Sequence, residues 1–431
     1  MRPSRLPLVR PSGPPRRHSD SAQSLTAGFY VNWDDNSYAS FAAHAAEMDW
    51  VICEWSFVAA GGDSLRFALD PRVPYVVQRL PEADRPLIFA MVSNFDSGGK
   101  RFESRDLRRL LATPDSRARA VAQLDGFVRR YGLGGVTVDF ESVPADLDDE
   151  VLAFVRALRA ALTEHGALTT QAIGTDVDDG WLRRYGAAND AVILMLYDEH
   201  YGSGDAGPVA SQEWYADRVR HAMRVLDPAH TILAIGAYGY DWNDAGPDAS
   251  GGELTFQDVM AAAREHAARV GFDSVALNPW ISWTDPDSTD HVAWYLDAVT
   301  AYNQSLVGDA AGARGRAVWR LGSEDPALWR VIGRRPNEPP AIGLTTIPPG
   351  YDVEFDGDGE ILRLTARPTS GRRLIGVDSV SGLVRREVVT AYPSPWVVRR
   401  DGRSAHRVAL TFDDGPDGTW TPVILDTLAR A

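Results

Sequence analysis

The stretch Gly134–Pro144, GGVTVDFESVP, sets two carboxylates two residues apart inside an otherwise apolar run. Charge is costly in such a place unless it is paired or used. In an extended strand, Val136, Val138 and Phe140 share one face, and Thr137, Asp139 and Glu141 share the other. A nearly continuous hydrophobic strand of this kind belongs to a parallel sheet covered on both faces.

Seven similar runs lie outside it: AGFYVNW (27–33), WVICEW (50–55), PLIFAMVS (86–93), ALTTQAIG (167–174), AVILMLYD (191–198), TILAIGAYGY (231–240) and RAVWRLG (316–322). Between them run SRARAVAQLDGFVRRYG, DEVLAFVRALRAALTEHG and SQEWYADRVRHAMRVLD, whose apolar residues recur at three and four and which end near Gly or Asp-Pro, as amphipathic helices do. Eight strand–helix units predict an α/β protein, a (β/α)8 TIM barrel over residues 25–334. The fourth run then carries its acids inward, at the strand end where barrel enzymes hold their chemistry.

The interval from Trp242 to Arg316 is too long for one crossover. It predicts a small α+β insertion, about 243–312, beside the barrel mouth. Ahead of the barrel, residues 1–24 read as a basic, Pro-rich disordered tail. Beyond it, 335–402 reads as a linker and a β-rich segment, with DVEFDGDGEILRLT forming a hairpin around a DGDG turn. That DGDG lacks the further ligand spacing of a calcium loop.

Composition bounds the partners. With 431 residues, 44% of them hydrophobic, the chain can bury a large core. A formal charge of −15 argues against a general nucleic-acid binder, which needs clustered Lys and Arg. The single cysteine, Cys53, excludes an intrachain disulfide and sits in an apolar run. No apolar run is long enough to span a bilayer, and the N-terminus lacks the apolar core of a signal peptide. Nine histidines supply no H-x-H or H-E-x-x-H at a strand end, so a metal site in the barrel is not expected, and His200 reads as a loop residue.

Acids two apart on one strand face have Cβ atoms roughly 6.5–7 Å apart. Both cannot ionise cheaply, so one is expected to hold a proton near neutral pH, as a general acid must. Capping or solvation alone would not call for two acids and a hydroxyl on one inward face.

GGVTVDFE resembles the D-G-x-D-x-D-x-E signature of glycoside hydrolase family 18, the chitinase-like barrels. On that resemblance Glu141 matches the catalytic acid and Asp139 the substrate-positioning Asp, while Gly134 and Thr137 stand where the family has two more acids. It is also similar to the GVNIDFE of spore-cortex hydrolase relatives. LMLYDEH is similar to the family's M-x-Y-D, giving Met195, Tyr197 and Asp198. AIGAYGYDW resembles the seventh-strand segment, with Tyr238 and Tyr240, and AVWRLGSEDPALW the last strand, whose Trp319 would floor the subsite of cleavage. YVNWDDNSYAS and CEWS, with Tyr30, Trp33 and Trp55, resemble the hydrolase unit of bacterial proteins that join this barrel to a polysaccharide deacetylase and a glycosyltransferase.

The resemblance implies hydrolysis of β-linked N-acetylglucosamine glycans with no enzyme nucleophile and no cofactor. Glu141, Asp139 and Tyr197 would be catalytic, and the other residues named with them would bind substrate. A silent or weak glycan-binding barrel is the alternative, motivated by Gly134 and Thr137. VALTFDDGPD, within 403–431, resembles the first motif of polysaccharide deacetylases. There Asp413 would be the base and Asp414 a ligand to a divalent metal, in a domain that looks truncated. An extracytoplasmic or membrane-associated setting is what these resemblances imply.

Overall fold

The computed structural model describes residues 24–243, 252–332, 343–402, 410–412 and 416–430. Asp413 and Asp414, and the tail up to residue 23, lie outside the described residues.

Eight parallel strands close on themselves: β1 (Leu25–Tyr30), β2 (Trp50–Val58), β3 (Leu87–Ser93), β4 (Gly135–Asp139), β5 (Leu168–Ile173), β6 (Ala191–Met195), β7 (Thr231–Gly236) and β8 (Gly315–Trp319). Each pairs with the next, and β8 returns to β1, so the barrel has no open edge. Each of the eight overlaps one of the apolar runs read from the sequence; β1 and β8 start before their runs, and β2 continues past Trp55 to Val58.

The period-two pattern separates two cores. Ala27, Phe29, Trp50, Ile52, Phe89, Met91, Ile193, Ile232, Ala234 and Ala317 fill the lumen. Their strand neighbours, such as Val51, Val92, Val136, Val138, Leu194 and Leu233, pack outward with the helices. Cys53 is in the outer set and fully buried.

Local signals fix the helices. Helix Pro114–Tyr131 opens with a reciprocal cap between Thr113 and Ser116, with Pro114 in its first turn, and closes on Gly132 at φ +64. Its buried stripe of Ala120, Val121, Leu124, Phe127 and Val128 covers the barrel. Helix Asp148–Thr163 places three acids in its first turn, where the helix dipole favours them. Gly135 starts β4 because a Cβ there would lie 2.2 Å from the Leu168 carbonyl oxygen on β5.

The insertion between β7 and β8 is a five-stranded antiparallel sheet with the helix Phe256–Glu265 on one face. It begins earlier than the sequence suggests, at the strand Gly239–Asn243 that directly follows β7, and its last strand is Asp290–Tyr295. Helix Ala298–Ala310 is the barrel's own final crossover, with Asp297 as its N-cap.

After the barrel the chain divides. Pro368–Pro395 belongs to the same compact unit as the barrel, whereas Val353–Arg367 and Trp396–Ala431 form a second unit. The hairpin expected around DGDG does not form. Val353–Asp356 and Ile361–Ala366 do not pair with each other but flank Trp396–Asp401, parallel on one side and antiparallel on the other. Loop bonds explain this, since the Gly359 N–H donates to the Arg400 carbonyl (3.3 Å) and Arg400 Nε donates to the Gly359 carbonyl (3.0 Å). They draw the turn onto the third strand.

Candidate active site

Strand alternation on β4 holds without a bulge, in register with β3 from Phe89↔Gly135 to Ser93↔Asp139. Phe140 turns outward against Phe154, with ring centroids 5.7 Å apart. Thr137 and Asp139 are therefore inside, and Thr137 is already engaged, its hydroxyl 2.8 Å from that of Thr170 on β5. Asp139 is 6% exposed. Burial first, then the Glu141 and Glu54 charges, push its carboxyl well above the usual carboxylate range.

Glu141 lies two residues on, half-buried at the rim. Burial, followed by the charges of Asp198 and Asp176, pushes it up to about 7. The strand ladder ends at Asp139, yet Glu141 is held. Its N–H donates to Asn94 Oδ1 and its carbonyl accepts from Asn94 Nδ2, both at 2.9 Å.

On β6 the lumen parity of Ile193 continues through Met195 to Tyr197, while Leu194 and Leu196 face the helices. Tyr197 and Trp319 border both the lumen core and a smaller cluster with Tyr238 and Leu296. Trp319 stands edge-on to Phe29 at 5.3 Å, and Tyr197 edge-on to Tyr238 at 5.9 Å. Asp198, in left-handed backbone at φ +65, accepts from the hydroxyls of Tyr238 and of Tyr240, the latter at 3.0 Å. Burial raises its carboxyl and the two phenols oppose the rise.

Trp33, 65% exposed, follows β1. Its Nε1 donates to Glu54 Oε2, and the Arg320 guanidinium lies 4.4 Å from its ring centre. Arg320 is itself buried and paired with Asp34.

Three expected substrate contacts require correction. Tyr30 has no exposed surface because it alternates with the lumen residue Phe29; it points to the helices and its hydroxyl donates to Asp70 at 2.5 Å. Trp55 is likewise sealed in the outer core, with Nε1 donating to Asn32 at 3.0 Å, beside the β2 irregularity between Glu54 and Ser56. Neither can touch a ligand in the lumen. Tyr238, 3% exposed, is a buried partner of Asp198 rather than an open surface.

Glu54, Asn94 and Asp176 were not anticipated. Glu54 carried the same signal as Asp139, a charge inside the apolar run WVICEW; Asn94 and Asp176 are loop residues just past strand ends and carried none. Among the described residues, no group of three or more His, Cys, Asp or Glu could hold a metal ion.

A closed parallel barrel with a buried and a half-buried acid where its fourth strand ends has the architecture of a barrel enzyme, whose chemistry sits at that end. The profile of glycosyl hydrolases family 18 matches residues 95–323, and the chain belongs to that family, as an O-glycosyl hydrolase. Among curated relatives, an uncharacterized glycosylase, YvbX, of Bacillus subtilis is 23% identical over 72% of this chain and 91% of its own. The cortical fragment-lytic enzyme of the same organism is 22% identical over 59% of this chain and 62% of its own. Among solved structures, a chitinase from Chromobacterium violaceum superposes with a TM-score of 0.64 at 24% identity, covering 72% of this chain and 98% of that one. The spore cortex-lytic enzyme SleL of Bacillus cereus superposes at 0.62 with 16% identity, covering 72% and 73%. At these identities the structures share the fold.

Proposed function

We propose that this chain hydrolyses β-linked N-acetylglucosamine glycans with net retention, the substrate's own acetamide acting as nucleophile. Protonated Glu141 gives its proton to the glycosidic oxygen as the bond to C1 breaks. The acetamido carbonyl oxygen closes on C1, leaving an oxazolinium ion and the leaving sugar's hydroxyl. Water then attacks C1, the bond from C1 to the acetamido oxygen breaks and re-forms the acetamide, and the Glu141 carboxylate takes a proton from the water, which restores the acid. No second carboxylate across the ring is required in this chemistry.

The other residues take supporting roles. Asp139 accepts from the acetamide N–H and balances the developing positive charge. Tyr197 donates to the acetamide oxygen, Trp319 stacks beneath the sugar, and Trp33, Met195, Asp198 and Tyr240 line the approach.

The observation that carries this reading is the placement of Glu141, half-buried at the rim of β4 two residues beyond buried Asp139 and held there by Asn94; burial and the Asp198 and Asp176 charges, which push its carboxyl up to about 7, agree with it. Its test is hydrolysis of a chromogenic β-N-acetylglucosamine oligomer by wild type and Glu141→Gln. Loss of turnover in a folded variant, with no cleavage of the de-N-acetylated oligomer by wild type, is expected. Binding without turnover in wild type would instead favour a silent glycan-binding barrel.

The VALTFDDGPD segment is proposed to open a polysaccharide deacetylase unit. A divalent metal would be needed only by a complete domain of that kind.

A further inference from the structure

We propose that Asn94 is the positioning residue of the catalytic acid, its side-chain amide acting as the last rung of the β3–β4 ladder. This rests on the assignment of Glu141 as that acid. The ladder between the two strands stops at Ser93↔Asp139 because the chain after β3 leaves for a small hairpin, pairing Phe95 with Phe102. Glu141, two residues further, would then keep an unpaired N–H and C=O at a partly buried rim, where both need partners.

Asn94 supplies the pair. Oδ1 accepts the Glu141 N–H and Nδ2 donates to the Glu141 carbonyl, each at 2.9 Å, and the residue is only 2% exposed. The two bonds fix which end of the amide is which, since the opposite orientation would set donor against donor. Asn94 is in turn anchored, its backbone carbonyl accepting from the Glu103 N–H at 2.8 Å. On the far side of Glu141 the chain turns away at once, with Ser142 at φ +51. The Asn94 amide therefore sets where the acid's backbone sits relative to β3.

The consequence is geometric. A proton donor must lie within hydrogen-bond reach of the oxygen it protonates, and a shift of 1 Å can lower the rate about 100-fold. Asn94 touches no substrate in this scheme and acts through Glu141 alone.

Substitution at this position has a signature that a purely structural side chain lacks. In Asn94→Asp, an ionised carboxylate can accept the Glu141 N–H but meets its carbonyl with a second acceptor. Protonated, the same side chain is an acceptor and a donor in the amide's own shape. The variant should recover toward wild type as pH falls.

The experiment compares full-length wild type, Asn94→Ala, Asn94→Asp and Glu141→Gln on a chromogenic β-N-acetylglucosamine oligomer between pH 5 and 8. Amide hydrogen exchange at Glu141 and Val138 is measured alongside. Asn94→Ala is expected to lower kcat roughly 10- to 100-fold with KM within about two-fold. Asn94→Asp is expected to gain at least about five-fold relative to wild type from pH 7.5 to pH 5. Glu141 exchange should quicken at least about ten-fold in Asn94→Ala while Val138 is unchanged.

Wild-type kcat in Asn94→Ala, a pH-independent Asn94→Asp ratio, or unaltered Glu141 exchange would each overturn the proposal. If Asn94→Ala does not fold, the pH comparison within Asn94→Asp decides alone. Turnover by Glu141→Gln would defeat the acid assignment separately, and the exchange measurement would still report on the clamp.

Discussion

The indole Nε1 of Trp33 donates to Oε2 of Glu54 at 3.0 Å. With Arg320 against one face, the exposed ring is held as a fixed plate at the mouth. A fixed aromatic plate loses little freedom when a sugar lies on it and contributes about 1 kcal/mol, roughly five-fold in affinity. Trp33→Ala is therefore expected to raise KM about five-fold at unchanged kcat. Glu54→Ala, which frees the indole, should reproduce part of that rise. Glu54→Gln, whose amide oxygen still accepts the N–H, should keep the wild-type KM more nearly. Equal KM values across the three variants would show that the plate carries no substrate.

With Glu141 as the proposed acid, activity is expected to fall as pH rises through about 7, because that acid must be protonated to act and burial and nearby carboxylates push it up to about 7. Asp198 is the charge that contributes most after burial, so its removal lowers the Glu141 pKa. The alkaline limb of kcat/KM in Asp198→Asn is expected at lower pH than in wild type, whatever the loss in absolute rate. A limb that stays in place would remove Asp198 from the electrostatics of the acid.

The same shift has a stability consequence. Glu141 is raised from 4.5 to about 7 in the folded protein, so the native state binds a proton that the unfolded chain releases between those values. Its favourable contribution is fully present below pH 4.5 and is lost as pH rises through about 7, a change on the order of 3 kcal/mol. Glu141→Gln removes the titration. In thermal unfolding it should match wild type near pH 4 and exceed it at pH 8. Equal melting temperatures at pH 8 would mean that the carboxyl is not strained by its site.

How much of this was legible in the sequence follows from what each residue's neighbours are. The barrel strands were legible because a strand buried on both faces is apolar at every position, and the acids of β4 because charge interrupts that run. Tyr30 and Trp55 are core residues by strand parity, which a motif resemblance does not encode; Tyr30 alternates with the lumen residue Phe29, and Trp55 follows Val51 and Cys53 on the outer face. Asn94 was invisible because its role depends on where β3 and β4 part, a relation between segments 47 residues apart. The DGDG turn failed for a similar reason, since its partner strand lies at Trp396–Asp401.

Arg373 gives the sharpest stability prediction outside the site. It has no exposed side-chain surface and donates to Asp297 at 2.7 Å, to Glu387 at 2.9 Å and to Asp325. Asp297 and Asp325 are N-caps, of the last crossover helix and of the short turn Pro326–Leu328 after β8, so one guanidinium ties the strand pair Gly371–Val377 and Val384–Ala391 to the barrel's closing segment. Three acids face one buried cation, and burial followed by the Asp297 charge pushes Glu387 well above the usual carboxylate range. Removing the cation leaves buried acids uncompensated, and Arg373→Met is expected to cost about 3–5 kcal/mol in urea unfolding. Glu387→Gln should change stability by no more than about 1 kcal/mol, because a neutral amide replaces a carboxyl already held towards its neutral form. A loss in Glu387→Gln as large as that in Arg373→Met would mean that Glu387 is ionised and that the cluster is a true ion network.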